Sequence, residues 1–192
     1  VSASEDAGDA SIMREVVPLR GTTRRAARAA LRLSGVMEDD SIWFGGIEAA
    51  QLNENSRSTL NENLGIEITA IEADRIVGRM PVDHRTIQPA GVLHGGASVA
   101  FAETLASWGG YLTVDPARFH VVGQEINANH VRPARDGTWV TGVATPVHLG
   151  RRAQVWDIRI TDEAGKLVCI SRCTLAAIAE ASGYAPPEQR SR

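Results

Sequence analysis

From Val92 to Leu112 the chain runs VLHGGASVAFAETLASWGGYL, and no other stretch restricts the architecture as much. Ala97, Ala100, Phe101, Thr104, Leu105 and Trp108 give a helix here an apolar surface nearly all round. A helix apolar on most sides has to be buried on most sides. Gly109-Gly110 weakens its end, and Asp115-Pro116 stops it. One acid, Glu103, and one hydroxyl, Ser107, sit inside this apolar run. A carboxylate in such a place costs free energy unless something pairs or uses it.

The segments around the helix read as strands. Leu64 to Ile71 alternates apolar and polar residues, Glu72-Ala73-Asp74 is a turn, and Arg75 to Val82 completes a hairpin. Asp83 to Pro89 is polar and ends in X-Pro, which favours an extended loop. After the helix come Phe119 to Val131, Thr138 to His148, Arg152 to Thr161 and Lys166 to Ile178, with turns at Arg135-Asp136-Gly137 and Asp162 to Gly165. Short turns imply antiparallel pairing. Upstream, Ile47 to Asn53 is expected as a short helix and Asn53 to Asn63 as a polar loop. The expected class is α+β: an antiparallel sheet of about six strands wrapped around one central helix, the hotdog shape.

A chain of 192 residues suffices for one domain with a real core. We expect residues 1–40 to be a flexible N-terminal arm, 41–180 the folded domain, and 181–192 a polar tail. The arm holds a short basic amphipathic segment, Arg20 to Arg32, open to reading as targeting or membrane-surface sequence, and Met37 is a candidate true start. The formal net charge of -3 gives no basic field for nucleic acid. No apolar run reaches the roughly 20 residues of a spanning helix. Cys169 and Cys173 lie four apart in one strand, poorly placed to bond to each other. They are expected as buried free thiols, and the compartment as cytoplasmic.

The central stretch also carries chemistry. Gly95 and Gly96 stand at the start of the helix, where backbone N–H groups lack internal partners and meet the positive end of the dipole. Such a site stabilises an oxygen gaining negative charge, as a thioester carbonyl does during acyl transfer, although Gly-Gly also simply permits a tight turn. Glu103 lies eight residues beyond Gly95, about 12 Å along a helix. One carbonyl cannot touch both on one chain. If both act together, a second subunit must supply one of them, in two equivalent mixed sites. Ser107, four residues on, shares the Glu103 face. The competing reading of Glu103 is a buried acid paired with an arginine. His148-Leu149-Gly150-Arg151-Arg152 is either a solvated turn or a phosphate-binding one. The five histidines show no metal-ligand spacing, and neither a P-loop nor a dinucleotide fingerprint is present.

Gln88, His94-Gly95-Gly96, Glu103 and Ser107, spacing included, resemble the active-site pattern of hotdog-fold acyl-CoA thioesterases of the 4-hydroxybenzoyl-CoA thioesterase type with a catalytic glutamate. Met80 to Ser107, Gly123 to Gly137 and His148 to Ile158 extend the likeness. They resemble the branch of naphthoyl-CoA hydrolases of menaquinone synthesis and proofreading thioesterases of enterobactin synthesis. The resemblance covers about Ser41 to Ile178.

It implies hydrolysis of an aromatic acyl-CoA, with an aryl carrier protein or non-catalytic acyl-CoA binding as alternatives. Glu103 would be base or nucleophile, and the Gly95 N–H would polarise the carbonyl. Gln88 and His94 would position the thioester, and Ser107 would support Glu103. His130, Arg132, Pro133, His148, Gly150, Arg151 and Arg152 would hold the CoA nucleotide. The resemblance further implies a homodimer or dimer of dimers with shared sites, and no cofactor beyond the CoA of the substrate. At Val131 a close relative has a second histidine, a departure that bears on the CoA contacts.

Overall fold

Residues 41–179 are described by the computed structural model; the expected arm, its basic segment and Met37, and the expected tail all lie outside the described residues. Two short helices, α1 (Ala49–Asn55) and α2 (Leu60–Leu64), precede a hairpin of β1 (Glu67–Ile71) and β2 (Ile76–Val82). The long helix α3 (Gly95–Leu112) follows, and then β3 (Phe119–His130), β4 (Thr138–Leu149), β5 (Ala153–Asp162) and β6 (Leu167–Ala179). The six strands form one sheet in the order β1-β2-β4-β5-β6-β3, with every neighbouring pair antiparallel. This is the expected hotdog arrangement. α3 carries the chain across the concave face from β2 to β3, which lies at the far edge.

Alternation along the strands puts one set of side chains under α3. Trp156, Ile158 and Ile160 of β5 and Cys169, Cys173 and Leu175 of β6 are fully buried, as are Phe101, Ala102, Leu105 and Ala106 of the helix. Two glycines let the helix come close. Gly78 and Gly142 face each other across β2 and β4. A Cβ on Gly142 would stand 2.6 Å from Leu105 Cδ1 and 2.8 Å from Phe101 Cε1, and one on Gly78 would stand 2.8 Å from Leu105 Cδ2. The space of two side chains is thus given to Phe101 and Leu105.

The C-terminal end of α3 is held by aromatic packing and a buried polar chain. Trp156 lies against Gly109, where a Cβ would come within 2.7 Å of the ring, and it stacks on Trp43 at 6.3 Å and 6°. Its Nε1 donates to Gln154 Oε1 at 3.0 Å, and Gln154 Nε2 donates to Thr113 Oγ1 at 2.9 Å. A buried glutamine is tolerated here because both ends of its amide are hydrogen-bonded.

Three local expectations are corrected. The strand expected over Leu64 to Ile71 begins at Glu67, because Leu64 closes α2 and Gly65 caps it. The main helix starts at Gly95 rather than Val92. Leu93 and Val92 are held extended by bridges to Ile87 and Arg135, and Leu93 N–H donates to Ala134 O at 2.9 Å. The stretch expected as a loop over 53–63 contains the end of α1 and most of α2. Thr59 caps α2 by accepting from Asn61 N–H, and Gly65 ends it at φ 69. Thr59 followed by Glu62 is a helix-start signature that the polar composition masked. Cys169 and Cys173 are both free and buried, in accord with the expected thiols. Burial first, then the charges of Glu103 and Glu125, push the Cys173 thiol up to about 12.

Gly142→Val should lower the unfolding free energy by roughly 1–3 kcal/mol, the usual range for overpacking a filled core. Urea denaturation of the two proteins measures this, and an unchanged midpoint would show that α3 is not seated on these glycines.

Candidate active site

The site residues are held on two structures: the turn before α3, and the outer side of α3 with the edge strand β3. The turn is tied down locally. Thr86 Oγ1 donates to Pro81 O at 2.8 Å and accepts from Asp83 N–H at 3.0 Å, while Thr86 O accepts from His94 N–H at 2.8 Å. Asp83 binds Arg85 through a 2.6 Å contact, and the guanidinium holds its carboxyl well below the ordinary 3.8, at about 2. In the next turn Gly91, at φ 72, allows Gly91 N–H to donate to Gln88 O. Gln88 Oε1 accepts from Ala90 N–H at 2.8 Å. A backbone N–H can only donate, so the amide orientation is set and the Gln88 NH₂ is the end left for a ligand.

His94 is the N-cap of α3, and its Nδ1 accepts from Gly96 N–H at 2.8 Å. An accepting Nδ1 puts the proton of a neutral imidazole on Nε2. With Gly96 N–H taken by the ring and Ser98 N–H by His94 O, the Gly95 N–H remains without an acceptor among the described residues. Gly95 lines a pocket of about 350 Å³ together with Gln88, Ser98, His130, Arg132 and Pro133. His130 packs directly on Gly95, where a Cβ would lie 2.8 Å from its Nε2. That neighbourhood was not legible from sequence, which assigned His130 only to the nucleotide.

Glu103 lies eight residues beyond Gly95 along α3, against β3. Its Oε1 lies 2.5 Å from the position a Cβ would take on Gly123 of β3. The register of β3 against β6 shifts between Gly123 and Glu125, a bulge on the exposed edge. Glu103 is half-buried, and among the described residues its carboxylate makes neither a hydrogen bond nor an ion pair. The arginine-paired reading therefore finds no support in the described structure. Ser107 is half-buried one turn further on, followed by Trp108 and Tyr111, whose rings meet edge to face at 5.8 Å. Glycine within a strand signals a bulge or a close approach, so Gly123 was the available clue to the partner of Glu103.

Strand register sorts the expected CoA-binding residues into two groups. His130 pairs with Cys169 of β6, and Val131 N–H and Arg132 N–H both donate to Val168 O. At the other end Ala153 pairs with Ala176, and Arg152 O accepts from Ala177 N–H. Gly150 N–H closes this turn on Ala153 O at 3.0 Å, and the His148 ring lies over Gly150. Cys169 and Ala176 are seven residues apart on one strand, about 24 Å. One end of the chain thus gathers Gln88, His94, Gly95, His130, Arg132 and Pro133. The other gathers Glu103, Ser107, His148, Gly150, Arg151 and Arg152, since Gly123 pairs with Leu175 next to Ala176. Arg132, Arg151 and Arg152 are exposed and form no ion pair among the described residues, so both ends offer guanidinium groups to a phosphate. Among the described residues no group of three His, Cys, Asp or Glu side chains is placed to hold a metal ion. No helix there is long and apolar enough to cross a membrane.

Comparison with known proteins places this fold among thioester hydrolases. Residues 90–169 match the thioesterase superfamily. The 1,4-dihydroxy-2-naphthoyl-CoA hydrolase of Escherichia coli (strain K12) is 50% identical over 135 residues, 70% of this chain and 98% of that one. The proofreading thioesterase EntH of Cronobacter turicensis is also 50% identical over 135 residues, 70% of this chain and 97% of its own. The crystal structure of a mutant thioesterase PA1618 from Pseudomonas aeruginosa superposes with a TM-score of 0.71 at 45% identity, covering 72% of this chain and 99% of that chain. Thioesterase HI1161 from Haemophilus influenzae gives 0.71 at 48% identity, covering 75% and 99%. The chain belongs to the thioesterase superfamily.

The Asp83 carboxylate supplies a pH test of the turn that carries Gln88. Its folded-state pKa lies below the unfolded value, so the stability it contributes is present above about pH 3.8 and lost as pH falls toward 2. Asp83→Asn should therefore flatten the stability profile between these values and leave its slope near neutral pH unchanged. Thermal melts across that range test it, and parallel profiles for the two proteins would contradict the pairing with Arg85.

Proposed function

We propose that this thioesterase hydrolyses an aromatic acyl-CoA, of the 1,4-dihydroxy-2-naphthoyl or benzoyl type, to the free acid and CoA, in sites shared between two copies of the chain. The observation carrying this reading is the separation of the two groups along α3 and the sheet. Gly95 N–H and Glu103 stand about 12 Å apart along one helix, too far to act on one carbonyl. A two-fold axis beside the β3 edge, with the helices antiparallel, would bring the Gly95 end of one chain to the Glu103 end of the other. It would also bring Arg132 toward Arg151 and Arg152 of the second chain, around one CoA.

In such a site the thioester oxygen accepts from Gly95 N–H, strengthened by the helix dipole. Gln88 and His130 line the same pocket, and with His94, the cap residue next to Gly95, they would hold the thioester in place. Glu103, with no competing partner among the described residues, takes a proton from water as the water oxygen attacks the carbonyl carbon. The alternative is direct carboxylate attack to a mixed anhydride that water then opens. In either route the C–S bond breaks, the thiolate leaves with CoA and is protonated, and Ser107 steadies the carboxylate or the water. The residues need no cofactor for this beyond the CoA of the substrate. The aromatic preference rests on the naphthoyl-CoA hydrolase likeness and on the Trp108–Tyr111 pair that directly follows Ser107. The buried reduced thiols suit a cytoplasmic setting.

The likeness to EntH supports a second reading, removal of misloaded aryl groups from a carrier protein. The same two half-sites would serve it, and relative turnover of aryl-carrier and aryl-CoA thioesters separates the two. Non-catalytic acyl-CoA binding is the reading the unpaired Glu103 fits least.

Glu103→Gln should cut kcat by about 10²- to 10⁴-fold, the range for loss of a general base, with the fold retained. Near-normal thiol release across naphthoyl-, benzoyl-, phenylacetyl- and fatty acyl-CoAs would sink the assignment. Mixing Glu103→Ala subunits with Gly95→Pro subunits should restore activity, because one of the two mixed sites is then intact. No recovery after verified subunit exchange would count against sharing.

A further inference from the structure

α2 takes no part in the scheme above, yet it is built against the reacting helix. Thr104, the residue after Glu103, has its Oγ1 2.8 Å from Asn61 Oδ1 and 2.8 Å from Ala100 O, so its one proton is shared between them. Asn61 Nδ2 in turn donates to Ser56 Oγ at 3.2 Å. Both ends of α2 are fixed as well. Ser58 takes a left-handed φ of 57, uncommon for a residue with a side chain, and its N–H donates to Glu62 Oε2 at 2.6 Å. At the other end Ile66 N–H donates to Asn61 O at 2.9 Å, and the Arg85 guanidinium packs on Gly65. A five-residue helix has no stability of its own, so these contacts decide where it sits.

α2 exposes Glu62 and Asn63, and beside them one large apolar side chain, Leu60. Leu60 is 60% exposed, and among the described residues the other large apolar side chains this exposed are Val131 at 57% and Val147 at 58%. Single exposed apolar residues usually need no explanation. These three fall at the half-sites: Val131 lines the Gly95 pocket, Val147 precedes His148, and Leu60 precedes the residue bonded to Thr104. Leu64 shares the Leu60 face and packs on the core, while Leu60, next to the Asn61 that meets Thr104, stays exposed beside the half-buried stripe of Ala100, Thr104 and Ser107.

We propose that α2 forms the wall of the acyl site on the Glu103 side, and that Leu60 contacts the acyl group and sets how large and apolar a group is turned over. The proposal rests on the shared-site thioesterase reading. Its test is kcat and KM for benzoyl-CoA and acetyl-CoA with the full chain, Leu60→Ala and Leu60→Asp. Leu60 is exposed, so both variants should fold, and thermal melts check this. Leu60→Ala should lower kcat/KM for benzoyl-CoA about tenfold, chiefly through KM, and leave acetyl-CoA within about twofold. Leu60→Asp should widen that gap. Turnover with an unchanged preference between the two thioesters overturns this proposal and leaves the thioesterase reading standing. Absence of turnover of any thioester by the unmodified chain overturns that reading, and the proposal with it.

Discussion

Everything in the site hangs on how α3 is seated against the sheet. Gly78 and Gly142 open a flat bed, and Phe101 and Leu105 fill it. Burying two such side chains contributes roughly 1.5–3 kcal/mol each, enough to choose one rotation of the helix over others. With Phe101 and Leu105 turned inward, Glu103 and Ser107 are turned outward, toward the β3 edge. Had the bed been lined with larger residues, the helix would stand off or rotate, and the carboxylate would lose its place beside Gly123. A packing choice in the apolar core thus positions a polar group well away from it.

The same helix supplies two kinds of electrostatics, and its length keeps them apart. Its N-terminus offers an N–H that the His94 cap leaves unused, in a turn whose own hydrogen bonds are satisfied by Thr86, Gln88 and Asp83. Its middle offers a carboxylate without a partner among the described residues. A rigid helix cannot fold these onto one carbonyl. In the shared-site reading, association would be part of the chemistry, so loss of the second copy would remove activity without unfolding the sheet. The strand edge at β3 suits such an arrangement, because its unpaired backbone groups are the ready place for a second chain to join.

Much of the fold was legible because its signals are local. Alternation in Glu67 to Ile71 and Ala153 to Thr161, turn chemistry at Asp162 to Gly165, and the all-round apolar character of Ala97 to Trp108 each depend on a few neighbouring residues. The misses were places where distant contacts outweighed local pattern. Val92 and Leu93 look helical but are held extended by Ile87, Ala134 and Arg135. Leu60 to Leu64 looks like a polar loop, and it is helical because Thr59 caps it and Thr104 and Arg85 hold it in place. In the candidate site, Gly95 and Glu103 were legible from the helix pattern and its spacing, and Gln88 and His94 from the resemblance. The packing of His130 on Gly95 was not, because 35 residues and a strand pairing separate them.

By itself the sequence determined that one apolar helix must be wrapped by an antiparallel sheet, and that eight residues separate its N–H donor from its acid. Helical rise turns that spacing into a distance without any further knowledge of the fold. Only the tertiary structure decided which residues join each end: His130, Arg132 and Pro133 with Gly95, and the His148 to Arg152 turn with Glu103. Strand order and register set that partition. They arise from pairings between β3, β6 and β5 that are remote in sequence, so no local pattern encodes them.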